Sequence, residues 1–251
     1  MKYALVNNEK LEAEKGLSGL CPICQEQVIP KCGHYRINHW AHKSLTNCDK
    51  WWENETEWHR NWKDLFPKEW QEVVAYDEKT GEKHIADIKT DSNLVVEFQH
   101  SNISDEERIS REVFYKKMIW VVDGTRRKRD FEKFCRCLEY GLKIIPRTNI
   151  YVAKYGIHNI PREWMKSDVP VVFDFMGLFS SDWFYDNDQR RKLLWCLLPT
   201  QKLDKSLCVI LVFSREDFVD AVKRDAFNID YNLLKQGIRS ATLLPVSIRR
   251  Q

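Results

Sequence analysis

A predicted β-hairpin, ADIKTDSNLVVEFQ at residues 86–99, constrains the fold more than any other stretch of this sequence. Two runs rich in apolar and β-branched residues flank a polar turn, which is the pattern of two antiparallel strands. A two-residue loop sends Asp87 and Glu97 to opposite faces of the hairpin. A three-residue loop, with Asn93 in the left-handed conformation, places Asp87 directly across from Glu97.

The three-residue register brings two carboxylates to a Cβ separation of about 5 Å, and like charges so placed destabilise a sheet. We therefore expect a positive group between them. A divalent cation, Mg²⁺ or Mn²⁺, suits hard oxygen ligands and leaves coordination sites for water and a phosphate. The alternative is that either acid caps the hairpin or faces solvent, but both acids lie in apolar strand sequence, where a charge needs a partner.

The stretch before the hairpin, WWENETEWHRNWKDLF at residues 51–66, has the spacing of a helix. One side of this helix carries Trp51, Trp58, Trp62 and Leu65. Glu55, His59 and Lys63 follow one another at intervals of four. These three residues are either a solvated flank with i,i+4 pairing or a polar stripe that points toward the hairpin.

The remaining patterns predict a mixed α/β core. Strands are predicted at QEVVAYD, KHIADIKT, LVVEFQ and MIWVVDG, and a second helix at SDEERISREVFYKK. The order over residues 50–145 is helix, three strands, helix, strand. Residues 146–251 have strand and helix patterns without catalytic spacing, and we expect a second α/β lobe or an extension of the first sheet. Residues 1–49 are irregular and form a separate N-terminal segment.

Four of the eight cysteines lie close to three histidines in this N-terminal segment, and the pairs Cys21-x2-Cys24 and His39-x2-His42 predict a tetrahedral Zn²⁺ site. Cys32, His34 and Cys48 are further candidates, and Cys48 in particular could replace His39 as the fourth ligand. In a reducing compartment such crowding favours a metal site over disulfides. With four protein ligands the ion would be structural, because the segment is too small to bury a core of its own.

Composition excludes some classes of protein. No apolar run approaches the roughly 20 residues that span a bilayer, and the N-terminus has no signal-peptide layout. We expect a cytoplasmic protein that does not contact a membrane. The formal net charge of +3 is too small to identify a partner. A basic run at residues 126–129 is either a solvated loop or a phosphate contact.

Residues 20–123 resemble the CoiA-like family of competence proteins, a branch of the PD-(D/E)xK nuclease superfamily. The matching stretches, in order, are CPIC, HWAHKSLTNC, NETEWHRNWK, IADIKT, VVEFQHSNIS and REVFYKKMIWVVDG. The resemblance implies a restriction-endonuclease-like core with a mixed αβββαβ sheet, a zinc-binding segment before it and an α/β extension after it. It also implies a metal-dependent nuclease that hydrolyses phosphodiester bonds in DNA during DNA processing, competence or defence.

The resemblance assigns roles residue by residue. Asp87 corresponds to the metal-binding aspartate and Glu97 to the second acid, so that these two and Glu55 would hold Mg²⁺ or Mn²⁺. Gln99 stands where the superfamily more often has a lysine, and it would orient water without supplying a charge. His59 matches a helical histidine of the family and would position the nucleophile or the substrate phosphate.

Two further residues and two competing functions complete the prediction. Arg111 and Tyr115 match family positions and either contact a phosphate or the metal shell, or pair with an acid and pack in the core.

One competing function is a degenerate nucleic-acid-binding protein, and the other is a module that recruits a protein partner through its C-terminal region. The acids at 55, 87 and 97 favour the nuclease, because a pure binding protein has no use for an acidic cluster that faces phosphate.

Overall fold

The fold was analysed in a computed structural model, which describes residues 1–44, 48–51, 55–127, 129–134, 143–144, 148–154, 160–176, 192–203 and 207–242. Within these ranges the protein is a mixed α/β fold with two sheets. Among the helices in the described ranges, none has both the length and the apolar character that a membrane crossing requires.

The first sheet comprises five strands within the described residues, in the order β2-β1-β3-β4-β5, and all neighbours are antiparallel. The strands are β1 (Tyr3–Val6), β2 (Glu9–Glu12), β3 (Gly19–Leu20), β4 (Gln27–Lys31) and β5 (His39–His42). Its core is small and centres on the fully buried Trp40 and Val28. A sheet with so few apolar residues needs a further source of stability.

The second sheet comprises nine strands in the described part of the chain, in the order β10-β11-β14-β13-β12-β9-β8-β7-β6. The strands are β6 (Gln71–Tyr76), β7 (Lys83–Lys89), β8 (Val95–Gln99), β9 (Met118–Asp123), β10 (Lys143–Ile144), β11 (Ile150–Lys154), β12 (Val171–Asp174), β13 (Leu193–Leu197) and β14 (Leu207–Ser214). The β8–β9 and β9–β12 pairs are parallel, and the other pairs are antiparallel.

Helices cover both faces of this sheet. They are α1 (Glu57–Lys63), α2 (Asp105–Tyr115), α3 (Arg215–Lys223) and α4 (Tyr231–Thr242), with 3-10 helices at Lys68–Trp70, Gly124–Arg126, Arg162–Trp164 and Thr200–Lys202. From α1 to β9 the order of elements is the predicted helix, three strands, helix and strand. The tryptophans of α1 pack on the face that carries Ile88, Val96 and Phe98.

Helix α1 is shorter than predicted, because Thr56 caps it. The Thr56 side chain accepts a hydrogen bond from the His59 backbone N–H, and the His59 ring accepts one from the Thr56 backbone N–H. This reciprocal arrangement requires an extended backbone at Thr56 and begins the helix at Glu57. Trp51 and Glu55 therefore lie before the helix, and the prediction that Glu55 is a helical residue is wrong.

Strands β10 to β14 extend the sheet that β6 to β9 form. Strand β12 lies parallel to β9, with Val171 across from Trp120, and β13, β14, β11 and β10 follow outward from it. Two arrangements were predicted for this region, a second lobe and an extension of the core sheet. The extension of the core sheet is the one observed.

A buried carboxylate in this extension holds α1 in place. The Asp174 side chain, only 1% exposed, lies at the end of β12. Its Oδ2 accepts hydrogen bonds from Trp58 Nε1 and Trp62 Nε1, each at 3.0 Å, and from Arg215 Nη2 at 2.7 Å. One charge thus connects α1, β12 and α3.

We expect Asp174→Asn to lower the free energy of unfolding by about 3 kcal/mol, because the substitution leaves Arg215 without its buried counter-charge. Urea denaturation measures the change. The matched control is Asp220→Asn, which breaks an exposed pair with Arg224 and should cost less than about 1 kcal/mol. Equal effects of the two substitutions would contradict the role assigned to Asp174.

Candidate functional site

The hairpin between β7 and β8 adopts the three-residue register. Ile88 lies across from Val96, and the loop closes through Asn93, whose φ of 61° is left-handed. Continuing this register by one residue places Asp87 across from Glu97. Of the two predicted registers, the one that juxtaposes the two acids is therefore the one observed.

Beyond Ile88 the backbone ladder of the hairpin gives way to side-chain hydrogen bonds. The Asp87 backbone N–H donates to Glu97 Oε1 at 3.1 Å, and the Phe98 N–H donates to Asp87 Oδ2 at 2.9 Å. The Phe98 carbonyl accepts from His59 Nε2 at 2.9 Å. The two carboxylates thus occupy a fork in the sheet and satisfy backbone groups that a regular ladder would pair.

A third acid, Glu72 on β6, lies on the other side of Asp87. The pairs on either side of it are regular, but Glu72 itself has a φ of 45° in the left-handed region. Ala86 packs on one face of the sheet and Ile88 on the other, although a regular strand would place both on the same face. The backbone therefore rotates at this row, which aligns Glu72, Asp87 and Glu97 across three neighbouring strands.

A lysine supplies positive charge to three of the acids, Asp87, Glu72 and Glu55. Lys63 Nζ, at the end of α1, lies 3.0 Å from Asp87 Oδ1, 3.0 Å from Glu72 Oε1 and 3.4 Å from Glu55 Oε1. Burial alone lowers the pKa of Lys63, but the charges of the three acids raise it well above its ordinary value. Lys63 is thus a buried ammonium ion held among three carboxylates.

Glu97 has less positive charge around it. Arg111 Nη1 lies 3.2 Å from Glu97 Oε2. Burial, followed by the charge of Asp87, nevertheless raises the pKa of Glu97 to about 8, and Arg111 opposes this shift only in part. A further cation close to Glu97 would lower this pKa, because it would stabilise the charged form of the carboxylate.

Arg111 and Tyr115 follow the second of their two predicted roles. Arg111 pairs with Glu97 and also donates to the Trp51 carbonyl at 2.8 Å. Tyr115 packs in the core against Trp51 and Phe114, and burial raises the pKa of its hydroxyl well above the ordinary value. Arg111 therefore holds Glu97 in place, and Tyr115 contributes to the core next to the site.

The polar side-chain atoms of His59 and Gln99 form hydrogen bonds with other groups of the protein. The His59 Nδ1 accepts from the Thr56 backbone N–H at 3.3 Å while Nε2 donates to Phe98, which fixes the ring as a wall of the site. Gln99 is buried, and its amide donates to Ser101 Oγ at 3.2 Å, outside the acidic pocket. The hydrogen bond from His59 to the Phe98 carbonyl joins α1 to the end of β8.

The acids surround a pocket of about 70 Å³, which has room for a cation and a few water molecules. We call it the acidic pocket. Its ionic lining consists of Asp49, Glu55, Glu72, Asp87, Glu97, Lys63 and Arg111. Carboxylate oxygens are the donors that Mg²⁺ and Mn²⁺ prefer, and acids outnumber cations, so the residues fit a divalent ion in donor type and in charge.

The three predicted ligands do not meet at one point, however. Within the described ranges, the only set of three or more His, Cys, Asp or Glu ligand atoms within 4.8 Å of one another lies in the N-terminal segment. Glu55, Asp87 and Glu97 are arranged around the acidic pocket, and Lys63 lies among them.

That N-terminal set consists of Cys21, Cys24, His42 and Cys48. Cys21 Sγ lies 3.6 Å from Cys48 Sγ, and His42 Nε2 lies 3.3 Å from Cys24 Sγ and 3.5 Å from Cys48 Sγ. Three sulfurs and one imidazole nitrogen in this arrangement could bind a zinc ion.

His39, predicted as a zinc ligand, lies outside this set, and Cys48 takes its place. The physical reason is that His39 and His42 both belong to strand β5. Residues three apart on a strand point to opposite faces, whereas the same spacing on a helix would bring them together. His39 instead turns its Nδ1 to the Ile37 carbonyl at 2.9 Å.

Sequence analysis missed Glu72, which joins the two sheets. Its carboxylate accepts from the backbone N–H groups of Lys2 at 2.8 Å and Tyr3 at 2.9 Å, in addition to its contact with Lys63. Burial by itself raises the pKa of Glu72, but the Lys63 charge and the backbone donors lower it to about 2. The only signal in the sequence was a second polar residue at the start of a predicted strand.

We expect elemental analysis of the purified protein to find about one equivalent of zinc. Cys48→Ser should remove most of it, whereas His39→Ala should retain it, because His39 lies on the other face of β5. Loss of zinc in His39→Ala with retention in Cys48→Ser would contradict the ligand set.

Glu72 should make stability depend on pH in the acid range. A carboxyl group whose pKa falls from 4.5 to about 2 on folding stabilises the protein above about pH 4.5, and this contribution of about 3 kcal/mol disappears as the pH falls toward 2. Glu72→Gln should lower the free energy of unfolding at pH 6 and flatten its dependence between about pH 4.5 and 2. Urea denaturation across this range tests both effects, with the exposed Glu69→Gln as the matched control; an unchanged acid slope would contradict the assignment.

Comparisons with known proteins bear on the first sheet. Residues 4–50 match the family model described as the N-terminal domain of competence protein CoiA. No curated protein and no solved structure matches the chain. Except for Tyr3, the matched residues include the five strands of the first sheet, together with Cys21, Cys24, His42 and Cys48. Over these N-terminal residues the chain is similar to the CoiA-like family.

Proposed function

We propose that this protein is a metal-dependent nuclease that hydrolyses phosphodiester bonds in DNA, with a core of the PD-(D/E)xK type. One observation carries the proposal: Asp87, Glu97 and Glu72 stand in one row across three strands, at a fork in the sheet, with Glu55 beside them. Buried acids on neighbouring strands are costly, and proteins retain such arrangements at functional sites.

The balance of charge supports a bound cation. Asp87 and Glu97 share a buried fork, and the pKa of Glu97 reaches about 8 because burial and the Asp87 charge are only partly offset by Arg111. A divalent ion would supply further positive charge at the fork and lower the pKa of Glu97.

Asp87 and Glu97 would hold Mg²⁺ or Mn²⁺ through their carboxylate oxygens, and Glu55, which pairs with Lys63 in this structure, would join them by turning its side chain toward the ion. When bound, the ion would lower the pKa of a water molecule and offset charge on the phosphate. Arg111 would keep one Glu97 oxygen in place, and the other faces the Asp87 backbone N–H. His59 would hold the end of β8, and with it Glu97, against α1.

Lys63 would supply the cation that Gln99 lacks. In the superfamily pattern a lysine often stands two residues after the second acid, where this chain has Gln99, whose amide bonds to Ser101. Lys63 reaches the acidic pocket from α1 instead, with its ammonium 3.0 Å from Asp87. We infer that it stabilises the negative charge that develops at the attacked phosphate.

The Cys3His cluster would hold Zn²⁺ as a structural ion in a reducing, cytoplasmic setting. All six cysteines in the described ranges are free thiols. With four protein ligands and no open position, the ion would stabilise the small first sheet and would not take part in chemistry.

The nuclease is tested by cleavage of labelled single- and double-stranded DNA with Mg²⁺ or Mn²⁺. Asp87→Asn and Glu97→Gln should each lower the rate by more than about 100-fold, because even groups that only orient metal ligands cost 10- to 100-fold. The matched control, Glu78→Gln in the exposed turn between β6 and β7, should cleave normally. Full activity in both active-site variants would contradict the proposal.

The same assay separates the role of Lys63 from a purely structural one. Lys63→Met should lower kcat, Lys63→Arg should restore part of it by retaining the charge, and the exposed Lys223→Met should have no effect. Folding of each variant is checked by circular dichroism. DNA binding without cleavage by the wild-type protein, with either metal, would favour the degenerate nucleic-acid-binding protein.

A further inference from the structure

A second cavity, of about 340 Å³, opens beside the acidic pocket. We call it the N-terminal groove. It lies between residues 35–39, which lead into β5, and residues 55–57, which lead into α1. Met1 and Glu55 line both cavities, so the groove adjoins the acidic pocket.

The wall that the first sheet contributes has a distinctive chemistry. Tyr35 is fully exposed, at 101% of its reference surface, and Arg36 beside it is also exposed. His39 lies further along the same wall. An exposed aromatic ring next to a guanidinium group is the combination that binds an unpaired base and its phosphate.

This wall is fixed to the rest of the protein. Arg60 of α1 donates from Nη2 to the Asn38 carbonyl at 2.8 Å and pairs with Glu55 at 3.1 Å. His39 bonds to Ile37 within the same loop. Arg60 thus connects the loop at Asn38 to Glu55 at the edge of the acidic pocket. Because these parts are already held in place, the entropy cost of ordering them on binding is smaller.

We propose that the N-terminal groove binds a single nucleic-acid strand and leads it into the acidic pocket, an inference that rests on the proposed nuclease function. Tyr35 stacks on an unpaired base, Arg36 binds a backbone phosphate, and the strand passes His39 and Glu55 to reach Asp87. A volume of about 340 Å³ is in the range of pockets that enclose one small-molecule-sized unit.

The exposed face of the Tyr35 ring favours a single strand over a duplex, because stacking needs a base with a free face. Inside a duplex both faces of each base are covered by neighbouring base pairs, whereas an unpaired base offers a free face for stacking. The opposite wall of the groove carries Glu55 and Glu57, which repel phosphate. The backbone of the strand is therefore expected to follow the Arg36 side.

The test measures binding without cleavage. Fluorescence anisotropy of a labelled single-stranded DNA of about 12 nucleotides is followed with the full-length Glu97→Gln variant, without added divalent ion, against a duplex of the same length. We expect the single strand to bind at least about tenfold more tightly. In that background, Tyr35→Ala should weaken binding about tenfold and Tyr35→Trp should retain it, while Arg36→Ala should weaken it and reduce its salt dependence.

The matched control is Tyr76→Ala. Tyr76 is likewise exposed, at 54%, and has a neighbouring cation in Lys83, but it lies on β6 away from the groove. Equal binding of duplex and single strand, or equal effects of Tyr35→Ala and Tyr76→Ala, would overturn the groove proposal. Single-strand binding that depends on Tyr35, in a wild-type protein that cleaves nothing, would support the groove and contradict the nuclease.

Discussion

The ammonium group of Lys63, buried among Glu55, Glu72 and Asp87, is the interaction on which the rest of the site depends. Carboxylates on neighbouring strands repel one another, and the repulsion is strong where water is excluded. Lys63 and the backbone N–H groups at the fork compensate most of it, so the acids can remain side by side. Glu97 lies at the edge of this network, and burial, followed by the charge of Asp87, raises its pKa.

A lysine can hold this position only if its helix is fixed, and the later strands provide that support. Asp174 binds two tryptophans of α1 from β12. On the other face, Glu112 of α2 accepts from Arg108 at 2.9 Å, Ser167 at 2.7 Å and Trp120 at 3.2 Å, which fixes the helix that carries Arg111. The region whose role the sequence left open thus braces both helices of the candidate site.

Much of the fold was predictable because its signals are local. Alternation of apolar residues gives strands, and the order from α1 to β9 follows from chain order. The outcome at particular residues shows the limits. Asn93 tolerates the left-handed conformation, which favours the observed register. Thr56 caps the N-terminus of α1, and the helix is therefore shorter than the spacing of the tryptophans predicted. His39 and His42 were paired by spacing alone, and spacing has a different meaning on a strand from its meaning on a helix.

The sequence by itself determined the CoiA-like N-terminal segment, the thiols and imidazoles available to a metal, and the two possible registers of the hairpin that carries Asp87 and Glu97, because motif spacing and turn chemistry act over a few residues. Only the tertiary structure decided that Cys48 completes the ligand set, that Lys63 and not Gln99 brings a cation to the acids, and that Glu72 joins the two sheets. These outcomes depend on contacts between elements far apart in the chain. No local pattern encodes such contacts, since packing and the pairing of buried charges select them together.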